Sequence, residues 1–242
     1  MRGGVAVAVC VAAVTSLGAA SACRAAGQEA ASATARAMPA EPMDALAEAI
    51  RALSPAADAV GTPTVAVLRA KASPIRWGDA PALESEDLRT IGTMAGGSVL
   101  VPTSGPPAEL VFEWGAPAGH PLGFDPVQAL RNRGFAVRAL YCSPMVSDGT
   151  NYFLVTAPGL RPGFLSVYAF DAPMAISVAR WSIRYRLDGH LPTLAEVQAN
   201  GDSEATTDCS TQTYGPVEQI SHSAAQTLVR RTTSAPVRSE PR

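Results

Sequence analysis

The chain contains 242 residues, and its 21 acidic and 19 basic side chains leave a formal net charge of -2 at pH 7. Because acidic and basic side chains are nearly equal in number, the composition argues against a protein that holds nucleic acid mainly through a strongly basic surface. The length fits one ordinary domain with extensions, or two small domains. Twelve of the 14 aromatic residues lie between Phe112 and Tyr185, so we expect the packed core in that part of the chain.

Residues 1–22 have the organisation of a secretory signal peptide. Arg2 precedes an apolar run over residues 5–17, and residues 18–22 are all small. The apolar run is shorter than the roughly 20 residues that a membrane-spanning helix needs. The pattern therefore predicts export and not a transmembrane anchor.

The small residues are followed directly by Cys23. Ala20, Ser21, Ala22 and Cys23 together resemble the lipobox of bacterial lipoproteins, although that family prefers Leu where Ala20 stands. The resemblance implies that Cys23 is acylated and becomes the first mature residue. Because Arg24 replaces the aspartate that retains such proteins at the inner membrane, it further implies an outer-membrane lipoprotein facing the periplasm. The alternative is cleavage by ordinary signal peptidase and release as a soluble periplasmic protein.

The next two segments have weak structural signals. Residues 23–43 are rich in alanine and contain almost no large side chains, which predicts a flexible tether. Residues 44–108 form a poorly defined segment, in which residues 44–53 have the apolar spacing of a short helix and residues 64–68 and 98–101 have the pattern of short strands. Turn-forming residues are dense in the rest of that segment.

Residues 109–231 carry the pattern of an α+β domain. Strand-like runs occur at 110–114, 135–142, 152–156, 164–170 and 177–187. We therefore predict an antiparallel sheet of four or five strands with helices on one face. Residues 232–242 are predicted to be a flexible tail.

Three helices are predicted within this domain. Asp125 and Pro126 are typical of an N-cap and a first turn, and Gly134 is typical of a helix end. Thr193 and Glu196 have the spacing of a capping box for a second short helix. A last amphipathic helix is predicted near residues 224–231.

The longest strand presents an arginine face. Between residues 177 and 187, large apolar side chains alternate with polar ones, so Arg180, Arg184 and Arg186 project from the same side. Guanidinium groups suit carboxylate or phosphate partners, which makes these three residues the candidate binding surface for an anionic envelope component or an acidic protein. The alternative is a solvated face whose arginines are neutralised by acids on neighbouring strands.

Cys142 and Cys209 form the candidate disulfide. If Cys23 is acylated, these two are the remaining thiols of the exported chain, and a bond between them would tie the C-terminal loop to the sheet. The alternative is a catalytic Cys142 assisted by a histidine, which requires a free thiol and lacks a supporting motif.

Other catalytic chemistry has little support in the sequence. His120, His190 and His222 are far apart and lack metal-ligand spacing, and we predict no metal and no cofactor. Serine-hydrolase motifs such as G-x-S-x-G are absent. A hydrolase built on paired carboxylates stays open, with Glu109 and Glu113 as the acids considered.

Three functional hypotheses follow, and whether the protein is an enzyme stays uncertain. The first is a non-catalytic envelope lipoprotein, inhibitor-like or immunity-like, that binds another macromolecule and is held at the membrane by its lipid. The second is an envelope hydrolase with an acid pair or serine site that carries no recognisable motif. The third is a structural subunit of an envelope or secretion complex.

Overall fold

The structure is a computed structural model, and it describes residues 42–83, 87–103, 108–115, 125–144, 148–171, 178–210 and 217–234. The predicted signal peptide, the acylation site at Cys23, residues 23–41 of the tether and residues 235–242 of the tail lie outside these ranges. The described residues belong to a compact unit that begins at Ala40. No helix within these ranges is long and apolar enough to cross a membrane.

Five helices and nine strands are found in the described ranges. In chain order they are α1 (Pro42–Leu53), α2 (Val65–Arg69), β1 (Arg76–Leu83), β2 (Leu88–Met94), β3 (Gly97–Pro102), β4 (Glu109–Gly115), α3 (Pro126–Asn132), β5 (Ala136–Cys142), β6 (Asp148–Thr156), β7 (Gly163–Asp171), β8 (Val178–Arg186), α4 (Leu194–Ala199), β9 (Glu218–Gln219) and α5 (His222–Ser234).

The strands form one sheet made of two antiparallel meanders that are joined through their last strands. The strand order is β1-β2-β3-β4-β8-β7-β6-β5-β9. β4 and β8 are antiparallel and in register from Glu109 opposite Arg186 to Gly115 opposite Arg180. β9 pairs in parallel with β5 at one edge. The arginine-bearing strand β8 therefore lies at the centre of the sheet.

The main core lies on one side of the sheet, which we call the inner face, where α1 and α3 pack side by side. On β8 the inner residues are Trp181, Ile183 and Tyr185, each at most 3% exposed. α1 buries an apolar stripe that includes Leu46 and Ile50 in the same core. The alternation predicted for this strand is thus confirmed.

A second, smaller core covers part of the opposite side, the outer face. α4 and α5 contribute Val197 and Ala225, which pack with Leu140, Leu154 and Phe164 of β5, β6 and β7. These three strands carry apolar side chains on both faces, and both faces therefore need a cover. The prediction of helices on one face is wrong, because helices cover both.

The sheet is also larger than the four or five strands predicted, because residues 44–108 supply β1, β2 and β3. These strands belong to the same sheet as the later ones, so the folded part of the chain does not begin at Glu109 as predicted. β1 and β2 escaped prediction because they contain Gly, Pro and Ala and pair with an irregular register. Gly92 permits their close approach, since a Cβ atom there would lie 2.8 Å from the Arg76 carbonyl oxygen.

Residues 64–68 were predicted to be a strand, and this is wrong because they lie in and before α2. Thr64 caps this helix, and its Oγ1 accepts a hydrogen bond from the Val67 N–H at 3.3 Å. A good N-cap residue outweighs the β-branched pattern here. The predicted helices α3 and α4 are confirmed with their caps, and α5 spans the predicted residues 224–231.

Candidate binding groove

The outer face of β8 carries the predicted arginine row. Arg180 and Arg184 are 56% and 48% exposed, whereas Arg186 is only 29% exposed. Their outward direction follows from the strand period of two, because Trp181, Ile183 and Tyr185 occupy the inner face. The row lies between β4 on one side and β7 on the other.

Acids on β4 pair with two of these arginines. Arg180 Nη2 donates to Glu113 Oε2 at 2.9 Å, and Arg184 Nη1 donates to Glu109 Oε1 at 3.0 Å. Ser182 between them donates to Glu113 Oε1 at 3.3 Å. These cross-strand pairs hold the side chains in fixed positions, although the attraction within such exposed pairs contributes little to stability.

Arg186 is held by the turn that follows its own strand. Its Nη2 donates to Asp188 Oδ2 at 2.6 Å, and Asp188 Oδ1 also accepts from the His190 backbone N–H at 2.9 Å. Burial alone would raise the pKa of Asp188, but these hydrogen bonds and the positive charge of Arg186 outweigh burial and hold that pKa below its usual value. Arg186 is therefore more firmly fixed than Arg180 and Arg184.

α4 forms a wall above the outer face. Thr193 and Glu196 form a capping box, in which the Thr193 N–H donates to Glu196 Oε2 at 2.7 Å and the Glu196 N–H donates to Thr193 Oγ1 at 3.2 Å. Hydrogen bonds from Thr193 lower the pKa of the exposed Glu196 carboxyl. The His190 ring lies 3.6 Å from Glu196 through its Nε2 atom.

The outer face and this wall enclose a groove with a volume of about 820 Å³. Its floor is formed by β4, β8, β7 and β6, and α4 with the turn after it forms one side. The charged and aromatic side chains that line it include Glu109, Glu113, Tyr152, Phe164, Tyr168, Arg180, Arg184, Arg186, Glu196 and Asp202. A volume in this range is typical of sites that bind molecules of drug size or segments of a larger chain.

Aromatic side chains form the part of the floor that lies away from β4. Tyr152 on β6 stacks on Phe164 on β7, with 5.8 Å between ring centroids and 22° between ring planes. Tyr168 lies on the same face of β7, opposite Ser182 of β8. One side of the groove thus carries paired charges and the other carries aromatic rings, of which Phe164 is only 5% exposed.

Asp202 lies at the corner of the groove beside Tyr152. Burial raises the pKa of Asp202, against the effect of hydrogen bonds from the Tyr152 hydroxyl and the Ala205 N–H. Burial and the neighbouring Asp202 carboxyl also raise the pKa of Tyr152. The negative charge of Glu204 also raises the pKa of Asp202.

The Cys142–Cys209 disulfide is present and fastens the loop that carries Asp202. Next to it, the backbones of Cys142 and Thr206 exchange hydrogen bonds of 3.0 and 2.9 Å. For a sequence separation of 67 between the cysteines, the chain-entropy estimate gives about 4 kcal/mol of stabilisation. A disulfide of this kind is typical of an oxidising, exported compartment, as the signal-like N-terminus predicts.

The predicted site residues are brought together only in part. The three arginines share the groove, whereas Cys23 lies outside the described residues. Sequence reasoning did not identify Tyr152, Tyr168 or Asp202 as part of this site. The alternation in β6 and β7 is the signal that could have placed the tyrosines on the arginine side, but Asp202 follows a helix and carries no comparable pattern.

Catalytic alternatives gain little from this geometry. Glu109 and Glu113 both line the groove, but they lie four residues apart on one strand, roughly 13 Å between Cα atoms, and different arginines hold them. Glycosidases place their two carboxyl groups about 5–9.5 Å apart. His190 meets Asp188 through its backbone N–H, and the described residues contain no cluster of three metal-ligating side chains.

Comparisons with known proteins do not extend this picture: no family model, no curated protein and no solved structure matches the chain.

Proposed function

We propose that this chain is a non-catalytic binding protein of the cell envelope that holds a segment of another macromolecule in the outer-face groove. The observation that carries the proposal is the row of three arginines, two of them exposed and each fixed by a carboxylate, on the floor of a groove of about 820 Å³. The groove is built mainly on strands, and rigid elements present binding groups with little loss of conformational entropy.

The ion pairs leave binding capacity on the arginines. A guanidinium group has five N–H donors, and the contacts of Arg180 and Arg184 with Glu113 and Glu109 each use one nitrogen. Because about half of each arginine side chain is exposed, the other donors are open to a ligand. The arginine row therefore serves as a set of positioned donors and not as a uniformly positive surface.

The proposal includes the location of the protein. We propose that the chain is exported, acylated at Cys23 and held at the outer membrane with the domain facing the periplasm. The disulfide supports export, and the lipobox-like segment supports acylation. Metabolic labelling with a palmitate analogue should mark the wild type and not Cys23→Ser. Equal labelling of both would contradict the anchor.

Photo-cross-linking from the groove tests the binding function. Azidophenylalanine at position 168 replaces one groove-lining ring with another, and the same residue at Thr93, which is exposed on β2, serves as the outside position. In intact cells we expect a discrete adduct from position 168 and none from position 93. Identical adducts from both positions, or none from position 168, would contradict the proposal.

An arginine variant then links the adduct to the groove chemistry. Arg180→Gln with Arg184→Gln should reduce the position-168 adduct at least tenfold, because the positioned donors are removed. Arg138→Gln is the matched control, since Arg138 pairs with Glu218 at 2.8 Å on the same sheet but does not line the groove. A similar reduction by the control would show that the effect is not specific to the groove.

A further inference from the structure

We propose that the occupant of the groove is a glycan strand of the cell wall, an inference that rests on the binding function proposed above. The strand would lie along β8, with sugar hydroxyl and acetamido groups on the arginine–carboxylate pairs and sugar ring faces on the tyrosines. Four properties of the groove support this occupant.

The first property is its charge. The three arginines of the row are nearly balanced by four lining acids, which are Glu109, Glu113, Glu196 and Asp202. A polyanion would meet carboxylates next to every arginine of the row, and a polycation would meet the arginines themselves. The balance therefore favours a ligand with little or no net charge.

The second property is the alternation of donors and acceptors. At the Arg184–Glu109 pair, N–H groups and carboxylate oxygens lie within 3.0 Å of each other, and the Arg180–Glu113 pair repeats this arrangement. A sugar hydroxyl both donates and accepts, so neighbouring hydroxyls complement such a pair directly. Hydrogen bonds to charged groups are also the stronger ones.

The third property is the aromatic side of the groove. Tyr168 and the stacked Tyr152–Phe164 pair lie across from the acids of β4. Pyranose rings expose C–H groups on their faces, and an aromatic side chain offers both a broad apolar face and, in tyrosine, a hydroxyl for hydrogen bonding. Because Phe164 is buried and stacked on Tyr152, the two tyrosines are the rings through which the groove would contact a sugar.

The fourth property separates a glycan from a peptide. Each of the floor strands β4, β8, β7 and β6 has a partner strand on both sides, so an extended peptide finds no open strand edge to which it could add. Recognition in this groove must proceed through side chains. The row from Arg180 to Arg186 spans about 20 Å, a length that suits several linked sugars better than one.

The expected location of the protein favours a strand of the cell wall as the source of this glycan. The N-terminus predicts export and the disulfide is typical of an oxidising compartment, so the domain would meet the glycan of the wall directly. Wall strands are built from acetamido sugars, whose amide oxygen accepts from arginine and whose amide N–H donates to a carboxylate.

Calorimetric titration of the purified full-length mature chain with defined probes tests the inference. The probes are the β-1,4-linked tetrasaccharide of N-acetylglucosamine, cellotetraose with the same linkage but without acetamido groups, and inorganic polyphosphate. We expect the first probe to bind at least tenfold more tightly than either of the others. Its affinity should change less than twofold between 50 and 200 mM salt, because no net charge is neutralised.

Groove variants separate this site from any other on the protein. Tyr168→Ala and, separately, Arg184→Gln should each weaken tetrasaccharide binding about tenfold, while Arg138→Gln should leave it unchanged. Two variants are used so that the result does not depend on a single side chain, and thermal unfolding checks that each is folded. Binding that survives both groove variants would overturn the inference, as would tighter binding of polyphosphate.

The failure of this inference and the failure of the proposed function are distinguishable. If no saccharide binds but the position-168 adduct forms and is lost in the double arginine variant, the groove is a binding site and its occupant is not a glycan. Equal binding of cellotetraose would overturn the assignment to the wall strand.

Discussion

The two faces of the central strands differ in the burial and the polarity of their side chains. On β8, the inner residues Trp181, Ile183 and Tyr185 are at most 3% exposed, whereas Arg180 and Arg184 on the outer face are about half exposed. Because neighbouring side chains on a strand point to opposite faces, one strand supports the core on one side and the groove on the other. Substitutions at adjacent positions should therefore have separable effects on stability and binding.

The cover on the two faces also differs. α1 and α3 seal the inner face with one extended core, while the outer core of α4 and α5 is confined to the strands β5, β6 and β7. Apart from Val111 and Gly115 of β4, the described residues on the outer face of β4 and β8 are charged or carry a hydroxyl group. The groove exists where the second helical layer ends.

The inner face can be tested by adding one methyl group. Gly163 on β7 leaves room for the Tyr185 ring, and a Cβ atom there would overlap that ring. Tyr185 is fully buried, its pKa is raised by burial to about 12, and its hydroxyl bonds Ser54 Oγ at 2.8 Å. We expect Gly163→Ala to reduce the free energy of unfolding by about 1–3 kcal/mol, the usual range for overpacking.

Gly115→Ala is the matched control from the outer-face side. It introduces the same methyl group at the end of β4, and a Cβ atom there would meet nothing within 4 Å. We expect a change within about 0.5 kcal/mol, as at other exposed positions. Urea unfolding followed by tryptophan fluorescence measures both variants. Equal losses would show that the two faces do not differ in packing as described.

Part of this architecture was readable from the sequence. The alternation in β8 predicted its inner and outer residues because bulky apolar side chains and arginines differ so strongly in burial preference. The caps of α3 and α4 were readable because Asp125, Pro126, Thr193 and Glu196 act within a few residues of chain. The Cys142–Cys209 pair could be predicted because the candidate thiols were few.

The rest depends on contacts between distant parts of the chain. β3 offers β2 a partner and β2 in turn pairs with β1, while residues such as Gly78, Pro81 and Gly92 have little strand preference of their own. The acids that pair with Arg180 and Arg184 are 67 and 75 positions away in sequence. That acids on neighbouring strands neutralise the arginines was the alternative interpretation of the sequence, but no local pattern identifies Glu113 and Glu109 as those acids.

The outer face can be tested through the titration of Asp202, for which we expect a smaller change in the free energy of unfolding than for Gly163→Ala. Burial raises the pKa of Asp202 in the folded protein, so the carboxyl loses its proton more readily when the chain is unfolded. The contribution of Asp202 to stability should therefore fall as pH rises through its unfolded pKa and up to its folded one. The side chain introduced by Asp202→Asn cannot ionise, so this variant should be more stable than wild type at pH 7, by about 0.5 kcal/mol. The difference should vanish near pH 3, below the pKa of an aspartate in the unfolded chain.

Asp208, six residues further along the same loop, provides a control of opposite sign. Hydrogen bonds from Ser210 lower the pKa of Asp208, so its charged form favours the folded state and its stabilising effect is lost as pH falls through the folded pKa. Asp208→Asn should accordingly be less stable than wild type at pH 7, with a difference that shrinks in acid. Urea unfolding at pH 3, 5 and 7 compares the three proteins under identical conditions, so the titration of all other groups cancels. If Asp202→Asn behaved like Asp208→Asn, the Asp202 carboxylate would be stabilised by its groove neighbours, and the corner of the groove would favour an ionised acid over a protonated one.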